Sequence, residues 1–66
     1  MPRNLEELAQ LIARRDAISY NEAMGIIKET AAELEIAFMN GDLYEAEDIM
    51  ADMLGLEPDY LDLFIF

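Results

Sequence analysis

Apolar positions recur along the chain at the three- and four-residue steps of helices, and no two-residue alternation bounded by turns competes with them. Three helix starts use one device. A short polar side chain can cap the free backbone N–H groups, and a glutamate three residues later can reach back to it. The pairs are Asn4 with Glu7, Ser19 with Glu22 and Asp42 with Glu45; Ile18, just before the second cap, is placed to pack on Ala23 as a hydrophobic staple. Asn40-Gly41 and Gly55 offer left-handed stops, and Pro58 suits the first turn of a further helix. These marks predict helices over about 5–15, 20–40, 43–54 and 58–65. The expected fold is all-α: a compact three-helix bundle with a short fourth C-terminal helix, in a single small domain spanning 1–66. Short connections favour consecutive, roughly antiparallel packing.

The second helix organises the rest. Tyr20, Met24, Ile27, Ala31, Leu34 and Phe38 form one apolar stripe, with Glu22, Glu29 and Glu33 about opposite. A weaker stripe holds Gly25, Ala32, Ile36 and Met39. Either the first or the fourth helix covers this second face, or it is the seam of a homodimer, where small residues at 25 and 32 permit close approach. The third helix sets Leu43, Ala46, Ile49, Met50, Met53 and Leu54 against Glu45, Asp48 and Asp52. The run Tyr60, Leu61, Leu63, Phe64, Ile65 and Phe66 is too apolar for a free tail; it reads as a lid docked on the bundle or as a protein-binding or self-association patch.

Composition rules out wholesale disorder, because 55% of the residues are apolar. Charge changes the picture more. Four basic residues oppose fifteen acidic ones, a formal net charge of −11. All four cations (Arg3, Arg14, Arg15 and Lys28) lie in residues 1–28, where Glu6, Glu7, Asp16 and Glu22 balance them. The whole excess therefore sits in residues 29–66, which contain no Lys or Arg. Such a field repels nucleic acid and anionic lipid and steers the chain toward basic surfaces. With no leader and no apolar run of about 18 residues, neither a signal peptide nor a membrane span is expected. The absence of Cys fits a reducing compartment, and the expected location is cytoplasmic.

The chain holds no His and no Cys, so the usual proton shuttle, thiol nucleophile and zinc ligands are missing. Ser19 is a helix cap, and Lys28 lacks the desolvated pocket a Schiff-base lysine needs. The stretch opened by Asp42 fails as a calcium loop, because Tyr44 and Ala46 stand where oxygen ligands belong. No glycine-rich phosphate loop is present. The expectation is a protein without catalysis, cofactor or metal.

A helix rises about 1.5 Å per residue, so carboxylates three and four apart are spaced on a scale comparable to the phosphates of a duplex. The rows Glu45, Asp48, Asp52 and Glu22, Glu29, Glu33 would meet a surface built to grip phosphates with Arg and Lys. The candidate partner-binding face is Glu29, Glu33, Glu45, Asp48, Asp52 and Tyr44, with Tyr44 either an aromatic anchor or packed on the fourth helix. Glu35, Glu47, Asp59 and Asp62 extend it if the last three helices are neighbours. The competing expectation is a structural or adaptor protein that dimerises through apolar helix faces, acidic for solubility alone. A sequence-wide lack of cations after residue 28 favours the first reading, since exposed helix faces ordinarily gain from mixed-sign pairs.

The stretch Gly55-Leu56-Glu57-Pro58-Asp59-Tyr60-Leu61, following an acidic helix, resembles the endings of small acidic proteins of phages and mobile elements. The whole-chain profile is similar to that of DNA-mimicking inhibitors that phages direct against host defence nucleases. The resemblance implies an inhibitor of a DNA-binding defence or regulatory complex, such as a CRISPR effector (an anti-CRISPR). It carries no catalytic or binding residue across.

Overall fold

The computed structural model describes residues 1–65. Phe66, the last residue of the apolar run, lies outside them. The order is α1 (Leu5–Asp16), α2 (Tyr20–Met39), α3 (Leu43–Ile49) continued by a π-wound turn (Met50–Leu54), and a 3₁₀ helix (Pro58–Phe64). The fold is all-α. Helix α1 packs on α2, α3 and the π turn pack on α2, and the 3₁₀ helix packs on α3 and the π turn. The molecule is elongated, 33 × 19 × 18 Å, because the 20-residue α2 serves as the spine for everything else.

All three anticipated caps form. The N–H groups of Glu7, Glu22 and Glu45 donate to Asn4 Oδ1 (2.9 Å), Ser19 Oγ (3.0 Å) and Asp42 Oδ1 (3.0 Å). The return arms differ from a full capping box. Glu7 accepts from the N–H of Arg3, one residue ahead of the cap, and Glu22 meets the Ser19 hydroxyl itself at 3.4 Å.

The core is one cluster that runs the length of α2. It joins Leu8, Ala9 and Ile12 of α1 to Ala46, Met50 and Leu54 and to Leu61 and Phe64 of the 3₁₀ helix. From α2 itself come Ala23, Ile27, Thr30, Leu34 and Ala37, which differs from the stripe that size and hydropathy suggest. Tyr20 is exposed, while Met24, Ala31 and Phe38 are only half-buried. The inward face is turned by about 60° relative to the expected one, at 100° per residue. Small side chains at 23 and 37 let neighbouring helices approach, so they win the centre and the bulky residues move to the flank. Thr30 is admitted because its hydroxyl donates to the Ile26 carbonyl at 2.7 Å, leaving no unsatisfied polar group.

The rotation also settles the second stripe within this chain. Gly25, Ala32, Ile36 and Met39 are all exposed, so neither α1 nor the C-terminal helix covers them. On α3 the expected apolar side holds except for Leu43, which is exposed at the first turn. The last turn widens to π geometry. Residues four apart drift about 40° around a regular helix, so Ala46, Met50 and Leu54 would fan out of line. A wider turn keeps Met50 and Leu54 both buried. Leu61 and Phe64 are buried and Tyr60 and Leu63 half-buried, so the C-terminal segment is a docked lid, with Ile65 exposed at its end.

Helix α1 ends without the glycine that marks the other stops. Ala17 adopts φ +55°, and Ile18 N–H reaches back to the Ala13 carbonyl at 3.1 Å. A residue with a Cβ resists this conformation by about 1–2 kcal/mol, partly offset by the chain entropy a glycine would bring. Ala17→Gly is expected to raise stability by up to about 1 kcal/mol, read as a higher urea midpoint with an unchanged slope. Next to it, the Arg15 guanidinium bonds Asp16 at 2.8 and 3.0 Å. That hydrogen bond holds the Asp16 carboxyl below its ordinary range and raises Arg15. The slight stability from Asp16 is present above the ordinary carboxylate range and is lost as pH falls through the lowered value.

Candidate functional site: an acidic groove between α2 and α3

The turn joining α2 to α3 has no spare residue. Asn40 remains right-handed and Gly41 takes φ +67°. Gly41 N–H then donates to the Phe38 carbonyl (3.0 Å) and Asp42 N–H to the Ala37 carbonyl (2.9 Å), closing the end of α2. Asp42 at once caps the next helix through its side chain. One residue thus ends α2 with its backbone and starts α3 with its carboxylate, which folds α3 back along α2 at a fixed angle.

Between the two helices lies a groove of about 540 Å³. Its floor and walls are Ile36, Ala37, Ile49 and Met53, and its rim carries Glu33, Asp42, Glu45, Asp52 and Asn40. The rotation of α2 explains why Glu33 is there. With the core centred on Ala23, Thr30 and Ala37, Glu33 moves from the outer pole to the edge facing α3. Glu45, whose side chain makes no return bond to its cap, is free to line the opposite edge.

Of the six expected contact residues, Glu33, Glu45 and Asp52 come together around this groove. Glu29 lies one turn before Glu33 on the exposed side of α2, and Asp48 lies between Glu45 and Asp52 on the exposed side of α3. Neither lines the groove. Tyr44 is 84% exposed and does not pack on the C-terminal helix. The anticipated extension through Glu35 is not formed: Glu35 sits across α2 in a separate groove with Lys28, Ala31, Ala32, Phe38, Met39 and Phe64. Glu47, Asp59 and Asp62 are exposed but do not line the acidic groove.

Asp42 and the apolar floor are what reasoning from the sequence missed. Asp42 was legible as a cap, and a cap at so tight a turn has its carboxylate at the mouth of whatever cleft the turn creates. Ile36, assigned to a separate stripe, forms part of the same cleft.

No cation neutralises the rim. The one ion pair among the described residues is Arg15–Asp16. The four rim carboxylates are spread along the groove, and no three acidic side chains among the described residues form a cluster able to hold a metal ion. The arrangement is a polyanionic edge on an apolar trough. Among the described residues no helix is long and apolar enough to cross a membrane.

Unpaired like charges also tax the fold. Salt screens exposed charges over about 8 Å at physiological ionic strength. Raising NaCl from low to moderate concentration is therefore expected to raise Tm, by about 4–8 °C for each 1 kcal/mol of repulsion removed. A thermal scan by circular dichroism that shows Tm unchanged or falling with salt would mean the acids are already compensated.

No family model, curated protein or solved structure matches this chain.

Proposed function

We propose that this protein acts without catalysis, presenting the α2–α3 groove and its rim as a polyanion to the basic nucleic-acid-binding surface of a partner protein and competing there with DNA or RNA. The observation that carries the reading is the gathering of Glu33, Asp42, Glu45 and Asp52 around one groove with no basic side chain paired to any of them. A soluble domain acidic for solubility alone has no need to leave such a row unmixed with Lys or Arg. Glu29 and Asp48 prolong the anionic edge on either helix, and Tyr44 stands free beside it as an aromatic anchor. A defence nuclease or CRISPR effector, which the resemblance to phage inhibitors implies, has the required basic channel.

A second reading, an adaptor that pairs with its own copy, draws on the exposed strip Gly25, Ala32, Ile36 and Met39, where the space over Gly25 is open. One experiment separates the two. The protein is immobilised, proteins are captured from its source cell at about 50 mM salt, and a short DNA duplex is added as competitor. Nucleic-acid-binding proteins released by the duplex, and by about 200 mM salt, support mimicry. Captured proteins that the duplex cannot displace overturn it.

A further inference from the structure

The acidic groove differs from a plain run of charge in having apolar walls and floor, made of Ile36, Ala37, Ile49 and Met53. Ile36 in its wall is 61% exposed. Across from it, Ile49 and Met53 are half-buried and still open to the groove. A phosphate-gripping surface made of Arg and Lys alone would satisfy the carboxylates and leave these groups in water.

We propose that the groove seats a cationic amphipathic segment of the partner, one that places Arg or Lys against Glu33, Asp42, Glu45 and Asp52 and an apolar side chain against Ile36. Charge decides the occupant. A second copy of this chain brings a face with the same carboxylates and a net charge of −11, so groove-to-groove pairing sets like charges together. A basic segment removes that repulsion and covers the apolar wall in one step. This inference deepens the reading of the groove as a contact for a basic protein, and it names the chemistry that a mimic of phosphates alone would not require.

The test uses the whole protein and two fluorescent synthetic peptides of equal length and equal positive charge. One carries Arg and Leu at helical spacing; the other has every Leu replaced by Ser. Fluorescence anisotropy is expected to show the amphipathic peptide binding at least tenfold more tightly. Ile36→Ser should erase that preference while leaving the polar peptide's affinity unchanged. The double variant Glu33→Gln, Glu45→Gln should weaken both peptides. Circular dichroism checks that each variant folds, as their exposed positions favour.

Equal affinity for the two peptides, or a preference untouched by Ile36→Ser, overturns the proposal. So does a homodimer in sedimentation equilibrium that Ile36→Ser dissociates, because a second copy would then own the surface. The peptide result stands apart from displacement by duplex DNA. A preference for the amphipathic peptide without DNA competition would retain the groove and discard the mimicry.

Discussion

Leu34→Ala is expected to leave much of the protein unfolded near physiological temperature. Leu34 is 0% exposed, in the C-terminal half of the spine helix and within the one core cluster that joins α1, α3 and the 3₁₀ helix. Removing a buried leucine side chain costs about 2–5 kcal/mol, part transfer and part cavity. A chain of this size has a total stability of about 3–10 kcal/mol, by the usual range per residue. The loss is thus a large fraction of the whole, and Tm should fall by about 4–8 °C for each 1 kcal/mol. Ile36→Ala, two positions along, removes a similar side chain from an exposed site and should change stability by no more than about 0.5 kcal/mol. Urea unfolding of the pair checks the prediction. Comparable losses in both variants would mean that Ile36 is buried, and the groove with it.

The second large effect concerns contact rather than folding. Glu33→Lys, Glu45→Lys and Asp52→Lys in one chain convert the rim from anionic to mixed or cationic. An exposed ion pair is worth about 0.2–1 kcal/mol, and reversal replaces that attraction with a repulsion of similar size. Three reversals together should therefore lower affinity for a captured basic partner by about 100-fold or more, since 1.4 kcal/mol is tenfold. The matched control is Glu35→Lys, Glu47→Lys, Asp59→Lys. It makes the same change in net charge at exposed positions that do not line the groove. If the control weakens binding as much as the rim triple does, total charge rather than the groove governs recognition. Both triples should keep native helicity, and the rim triple should be the more stable of the two at low salt because it dissolves the local repulsion.

The physical link between these effects is the α2–α3 turn. Gly41 provides the one left-handed residue the short connection requires, and Asp42 satisfies donors at the start of α3. Together they form the turn between the two helices, and Asp42 itself lines the groove, so a residue that stabilises the corner is also one of its charges.

Helix number, order and limits were readable in the sequence because they depend on local chemistry. Ser19, Asn4 and Asp42 cap the N–H groups within their own first turns, and Gly41 and Gly55 supply conformations that neighbours with a Cβ resist. The asymmetry of charge was equally plain, being a count. What the sequence could not specify was which way α2 faces. Its apolar positions span more than half the circumference, and hydropathy favours Phe38 and Tyr20 where close helix packing selects Ala37 and Ala23. That choice rests on contacts between segments far apart in the chain. It carries Glu33 to the groove, sends Glu35 to the opposite side and leaves Ile36 in the open. The π turn has the same origin: it is a local departure held in place by burial of Met50 and Leu54, visible only once the helices are packed.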